Sequence, residues 1–137
     1  MKTFGVDISS ADIVDNLSFF DSWDDRYKYI IDLGKDLPPM ADADHVDENL
    51  IRGCQSKVWL SSENRDGRLY FNVDSDAFIV KGLLAIVMAA YNGKTTAEIR
   101  AFDIQNFFAS IDLMRHLSTT RGSGLQAMVA RIQSLAD

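Results

Sequence analysis

Residues Ala77 to Tyr91 dictate the architecture of this chain. The stretch is apolar almost all round a helix and is broken only by Lys81. A helix without a polar face has to be covered on every side, so the stretch predicts a central, buried helix. It is too short to span a bilayer, which takes roughly 20 apolar residues. The remainder of the chain must therefore supply the covering layers. At 137 residues the sequence suits a single domain over 1–137 that buries about two-thirds of its unfolded surface. An apolar fraction of 47% and a charged fraction of 25% are those of an ordinary soluble globular protein.

The flanking segments carry clear punctuation. Ser22-x-x-Asp25 is a capping-box variant ahead of Trp23, Tyr27, Ile30 and Ile31, which share one helical face. Gly34 and the Pro38-Pro39 pair are expected to end that helix. A shorter helix around Ala11 to Phe19 precedes it. The acidic run Asp42-Ala43-Asp44-His45-Val46-Asp47-Glu48 reads as a solvated loop. A calcium loop would need a glycine for its sharp turn and a distant bidentate acid, and neither is placed here.

Alternation then replaces helical spacing. Val58 and Leu60 on one run, and Leu69, Phe71 and Val73 on the next, give a hairpin one aliphatic face, with Trp59 and Tyr70 on the other. Asp66-Gly67 is the turn signal between the runs. A two-stranded ribbon is marginal alone, so a third strand is expected, with Leu50-Ile51-Arg52 as the candidate. Asp74-Ser75-Asp76 offers N-caps for the central helix, and Asn92-Gly93 stops it. Thr95-x-x-Glu98 is a second capping box. Ile104 to Leu117 reads as helical with Phe107, Phe108, Ile111 and Leu113 as core. A last helix from about Thr119 to Ala136 buries Leu125, Met128, Val129, Ile132 and Leu135. Helices, a small antiparallel sheet of about three strands, then helices: that segregation is α+β, with the helices packed on one side of the sheet.

The chain holds one cysteine, Cys54. It cannot close an internal disulfide, and no second thiol is present to resolve an oxidised or sulfurated form. Either Cys54 is an inert core residue or it carries something that another molecule collects. Its neighbours Gly53, Gln55, Ser56 and Lys57 are those of a turn rather than of a core strand. Zinc is a poor fit, because a closed site needs four ligands and the chain adds only the distant His45 and His116. Both histidines read as surface or capping residues. A cysteine hydrolase would need an oriented histidine beside the thiol, and nothing in the spacing supplies one. No glycine-rich phosphate loop is present.

Charge narrows the partners. Residues 1–50 carry a net −8 and residues 51–137 a net +2, giving the overall −6. With a pI near 4.8 and no clustered basic surface, the sequence argues against nucleic-acid binding. The simpler reading of the asymmetry is a solvated N-terminal half. The sharper one places the thiol among cations, Arg52 and Lys57, which favour thiolate. No positive n-region followed by an apolar stretch opens the sequence, so no secretory signal is expected, and the early acids Asp7, Asp12 and Asp15 argue against a transit peptide. With an unpaired thiol, a reducing cytoplasmic location is expected.

The segment Gly53-Cys54-Gln55-Ser56-Lys57-Val58-Trp59 resembles the active-site segment of the SufE family of sulfur-acceptor proteins. Asp74 to Leu83 resembles that family's segment after the hairpin, and Ser118-Thr119-Thr120-Arg121-Gly122-Ser123-Gly124-Leu125-Gln126-Ala127-Met128 its C-terminal signature. Trp23-x-x-Arg26-Tyr27 and Leu33-Gly34 with Leu37-Pro38 fit as well. The resemblance covers roughly residues 17–135, so residues 1–16 stand outside it as an N-terminal extension.

The resemblance implies a sulfur acceptor and activator of a cysteine desulfurase. Sulfur would travel as a persulfide on Cys54 to an iron–sulfur cluster assembly scaffold. No cofactor is implied on this chain, since the pyridoxal phosphate belongs to the desulfurase. The protein would act as a carrier rather than as a stand-alone enzyme. The fold implied is a small antiparallel sheet with helices on one side, like the IscU scaffold, and the cysteine is on a loop. Arg121 is the supporting cation implied by the resemblance, with Gln55 and Ser56 shaping the loop. Asp76 and Asp74 are helix caps or functional acids, and Gly82 and Gly124 allow close packing. A second reading is a small scaffold or interaction domain of iron–sulfur assembly without sulfur transfer of its own. One cysteine is a poor basis for holding a cluster, which usually takes four thiolates. A third is a structural domain with an inert cysteine. The oligomeric state, a homodimer included, is open from sequence.

Overall fold

The computed structural model describes residues 3–137. Six helices and one three-stranded antiparallel sheet form an α+β fold. Helix α1 spans Ser10–Ser18, capped by a full box between Ser9 and Asp12. Helix α2 spans Trp23–Lys35 behind the expected Ser22 cap. Two 3-10 turns, Asp42–Asp44 and Asp47–Asn49, shape the acidic loop. Strands β1 (Val58–Arg65) and β2 (Arg68–Ser75) form the hairpin, with Leu60 opposite Val73 and Trp59 opposite Asp74. The turn between them takes positive φ at both Asp66 and Gly67, the type I′ geometry that matches strand twist.

Helix α3 (Phe78–Tyr91) is the central helix, with every residue from Gly82 to Tyr91 buried. The short strand β3 (Lys94–Thr95) follows, then α4 (Thr96–Ala101), α5 (Ile104–Ser110), a 3-10 turn at Met114–His116 and α6 (Thr119–Leu135). Helices α1, α2 and α6 all pack on α3, which in turn covers β2. The aliphatic residues Val58, Leu60, Leu69 and Val73 of the hairpin join that core. Among the described residues, no helix is long and apolar enough to cross a membrane.

Five expectations change. The third strand is β3, which pairs with β2 at Arg68 and Leu69. Leu50 makes only a single bridge to Trp59. Gly34 does not end α2 but lies within it, because a Cβ there would come 2.6 Å from the backbone nitrogen of Gly82. The two glycines let α2 and α3 meet backbone to backbone. Asp74 and Ser75 belong to β2, and the cap residue of α3 is Ala77, without a side-chain hydrogen bond. The segment from Ile104 breaks after Ser110, where Asp112 takes a positive φ. In α6, Ala136 is buried at the end of the stripe in place of Leu135, which is 38% exposed.

Candidate functional site around Cys54

Cys54 lies in an irregular segment between the Leu50 bridge and β1. Gly53 before it adopts φ +95°, a backbone state that side chains with a Cβ rarely take. That turn folds the thiol back onto α6. Sγ donates weakly to the carbonyl oxygen of Gly124 at 3.5 Å. Gly124 offers bare helix backbone there, since a Cβ on it would sit 3.5 Å from the same sulfur.

The far end of the loop is fastened to the end of β2. The Asp76 carboxylate accepts from the Lys57 N–H at 3.1 Å, and the Asp76 N–H donates to the Lys57 carbonyl at 3.3 Å. The buried Ser75 hydroxyl donates to that carbonyl at 2.7 Å and accepts from Ala77 N–H at 3.3 Å. Asp76 thus holds the loop rather than capping α3.

A cavity of about 20 Å³ opens beside the thiol, lined by Cys54, Gln55, Ser56, Arg121 and Gly124, with Val80, Leu83, Thr120 and Met128 completing it. That is room for about one water-sized group. Three of the resembling segments, the cysteine loop, the post-hairpin segment through Val80 and Leu83, and the start of α6, therefore meet at one place. Ser118 caps α6 by accepting from the Arg121 N–H, which sets Arg121 in the first turn over the cavity. Gln55 and Ser56 line the cavity, whereas the hydrogen bonds that hold the loop come from Ser75 and Asp76.

Arg52 and Lys57, the cations next to the thiol in sequence, do not line the cavity. Burial pushes the Cys54 thiol above its ordinary value of 9.0. The sheltered thiol is therefore protonated at neutral pH.

Neither histidine lines the cavity, and both are half-buried rather than on the surface. His45 Nε2 is 2.6 Å from the Asp74 carboxylate, and its ring meets Trp59 edge-on. His116 stacks on Trp23 with centroids 3.9 Å apart. The apolar lining residues Val80, Leu83 and Met128 fall within the resembling segments, but nothing in their residue types marks them as part of a site. These residues look like ordinary core, and only the fold turns one edge of the core toward the thiol.

Comparison with known proteins agrees with this geometry. The family profile described as "SufE: Fe-S metabolism associated domain" matches residues 11–136. An uncharacterised SufE-like protein of Rhizobium meliloti is 44% identical over 129 residues, covering 91% of this chain and 92% of that protein. An uncharacterised SufE-like protein of Rhizobium etli is 45% identical over 128 residues, covering 90% and 86%. The solution structure of a hypothetical protein from Thermus thermophilus superposes with a TM-score of 0.75 over 93% of this chain and 92% of that one. At 15% identity, that likeness speaks to fold alone. A cysteine loop, a post-hairpin segment and an α6 start that converge in space, within a match spanning nearly the whole chain, place it in the SufE family of Fe–S metabolism associated domains.

Proposed function

We propose that this protein accepts sulfur from a cysteine desulfurase as a persulfide on Cys54 and delivers it to an iron–sulfur cluster assembly scaffold. The observation that carries the reading is the lone thiol folded against Gly124 beside a cavity with room for about one more atom. A site of that size suits storage of a single sulfur.

The chemistry is an exchange between sulfurs. The Cys54 thiolate attacks the outer sulfur of the desulfurase persulfide. A new S–S bond forms on Cys54, the donor's S–S bond breaks, and its inner sulfur leaves as thiolate. No oxidant or reductant is consumed. Clearing that persulfide frees the desulfurase for another turnover, which is how a carrier stimulates its donor. The pyridoxal phosphate that releases the sulfur belongs to the desulfurase, and this chain needs no prosthetic group for its part.

Burial holds the resting thiol protonated, so the loop must move or the partner must supply charge before attack. Arg121 in the first turn of α6 is the cation on hand for the thiolate and for the persulfide anion. A sheltered persulfide is protected from small thiols until the loop opens on docking. The absence of a second cysteine fits the same need, because a neighbouring thiol would attack the persulfide and release sulfide. A reducing cytoplasm is the compartment in which such a thiol stays available.

The test is incubation with desulfurase and free cysteine, followed by intact mass. Cys54 gains the mass of one sulfur atom, and Cys54→Ser neither gains it nor stimulates cysteine turnover. Stimulation by Cys54→Ser equal to that of the native protein would refute the carrier reading.

A further inference from the structure

We infer that α6 is the ruler that sets the position of Cys54, and that Arg131 is the positioning residue that seats the loop on it. The inference rests on the reading of Cys54 as the sulfur carrier and adds a residue outside the cavity to it. The segment leading to Cys54 runs along α6 in the opposite direction to the helix and touches it at three heights. The Arg131 guanidinium donates to the Glu48 carbonyl at 3.0 Å and to the Leu50 carbonyl at 3.4 Å. One turn earlier on α6, Ala127 faces Gly53, where a Cβ would come 3.4 Å from the Ala127 Cβ. One turn earlier again, the Gly124 carbonyl receives the Cys54 thiol.

Positions 124, 127 and 131 share one face of a helix. They span about 10 Å of its axis. The three contacts therefore form one continuous seat, and the thiol's height on α6 is fixed by where the chain is gripped at Arg131. Other restraints upstream of Cys54 tie the segment to the sheet and core, through the buried Ile51 side chain and, farther back, His45 Nε2 at 2.6 Å from the Asp74 carboxylate, whereas Arg131 grips it on α6. The Ile51 N–H donates to the Val58 carbonyl at 2.8 Å, and Leu50 makes its single bridge to Trp59. Downstream, the loop is fastened only at Lys57. Arg131 suits the task because its planar fork reaches two carbonyls at once, which a lysine ammonium on a flexible stem does not do as well. Its contacts lie at Glu48 and Leu50, so it acts on the thiol through the backbone of the loop and not through its charge.

The experiment measures alkylation of native Cys54 by iodoacetamide across a pH series in the full chain, for the native protein, Arg131→Met and Arg131→Lys, with a thermal melt of each. Arg131→Met keeps the apolar stem and removes the donors. Losing a charge-assisted hydrogen bond of this kind should speed alkylation on the order of tenfold. Its midpoint should also fall toward that of an ordinary thiol as burial is relieved. Arg131→Lys should recover part of both effects. A general loss of stability would lower the melting temperature without moving the alkylation midpoint in the folded protein.

Alkylation rates and midpoints equal to the native ones in both variants would overturn the role of Arg131. A second arm loads each protein with sulfur from desulfurase and follows its loss to glutathione, which should be faster in Arg131→Met. Failure of all three proteins to take up sulfur would sink the carrier reading, while the alkylation series still decides the role of Arg131.

Discussion

The sulfur of Cys54 and the backbone of Gly124 lie in direct contact, 3.5 Å from Sγ to the carbonyl oxygen. Gly124 is helical and in the interior of α6, so replacing it with alanine should raise helix stability by up to about 1 kcal/mol. The added methyl would meet Sγ at 3.5 Å, ordinary contact that the thiol tolerates. A persulfide is different, because its outer sulfur needs the small cavity that the methyl narrows. Gly124→Ala is therefore expected to melt at or above the native temperature and yet load sulfur several-fold more slowly. Thermal melts and intact-mass time courses separate the two effects, and native loading rates would remove the spatial argument.

The thiol itself should titrate late. Burial raises Cys54 above 9.0, so the alkylation midpoint of the isolated protein should lie above pH 9.0, later than that of an ordinary thiol. The linked effect on folding has a definite sign. Above pH 9.0 the unfolded chain releases the thiol proton first and the folded chain retains it, so this group's contribution to stability is lost as pH rises. Adding the desulfurase should shift the alkylation or sulfur-loading midpoint downward if docking opens the loop. A pH–rate profile with and without partner measures this, and a midpoint at or below 9.0 in the isolated protein would contradict the burial seen around Sγ.

The close approach of α2 and α3 makes Gly82 the least replaceable glycine near the site. A Cβ on Gly82 would run into the carbonyl oxygen and side chain of Ile30, and one on Gly34 into the backbone of Lys81 and Gly82. Neither obstacle is a flexible side-chain tip, so the helices must separate. Overpacking of this kind typically costs about 1–3 kcal/mol, and more where backbone meets backbone. Urea denaturation should show Gly82→Ala destabilised by about 3 kcal/mol, with the Gly34→Ala and Gly82→Ala effects less than additive because they share one contact. The sulfur site should keep its chemistry in whatever fraction remains folded.

How much of this could be read from the sequence depended on whether the cause was local. The central helix, the Asp66-Gly67 hairpin and the Ser22 and Thr95 caps were legible because pattern and turn chemistry act over a few residues. The third strand was misplaced because Leu50-Ile51-Arg52 and Lys94-Thr95 are both short. Only the path of the chain after α3 decides which one reaches an edge of the hairpin. Gly34 was misread for the opposite reason: near two prolines it looks like a helix stop, yet its purpose is set by Gly82 across the interface. Cys54 stands out as the lone thiol among turn residues, Arg121 is implied only by resemblance to a family, and the fold brings them to one cavity. Arg52 and Lys57 were candidates by adjacency alone. Arg131 was invisible, because a cation that grips backbone carbonyls 81 and 83 positions away leaves no local signature.

The acidic loop that precedes Cys54 is tied to the sheet by a titratable pair, and this gives stability a predictable pH dependence. His45 Nε2 lies 2.6 Å from one oxygen of Asp74, whose other oxygen is 3.4 Å from Lys81 Nζ. The hydrogen bond to Asp74 outweighs the effect of burial and holds His45 above 6.5. Burial alone would raise Asp74, but the bonds from His45 and the Ser75 backbone, together with Lys81, bring it below 3.8. For His45 the folded state keeps its proton after the unfolded chain has lost it. Its contribution is then complete below pH 6.5 and disappears as pH rises through the higher folded value. For Asp74 the order reverses: its contribution is present above pH 3.8 and is lost as pH falls through the lower folded value. The pair thus stabilises the loop most between those limits. His45→Gln, which retains a donor near Asp74 but cannot take up a proton, should flatten the decline in stability expected for the native protein as pH rises above 6.5. Asp74→Asn should do the same and also flatten the fall at acid pH. Denaturation midpoints measured across roughly pH 3 to 9 test both variants. A native-like slope above about pH 6 in His45→Gln would show that the ion pair does not fasten the loop.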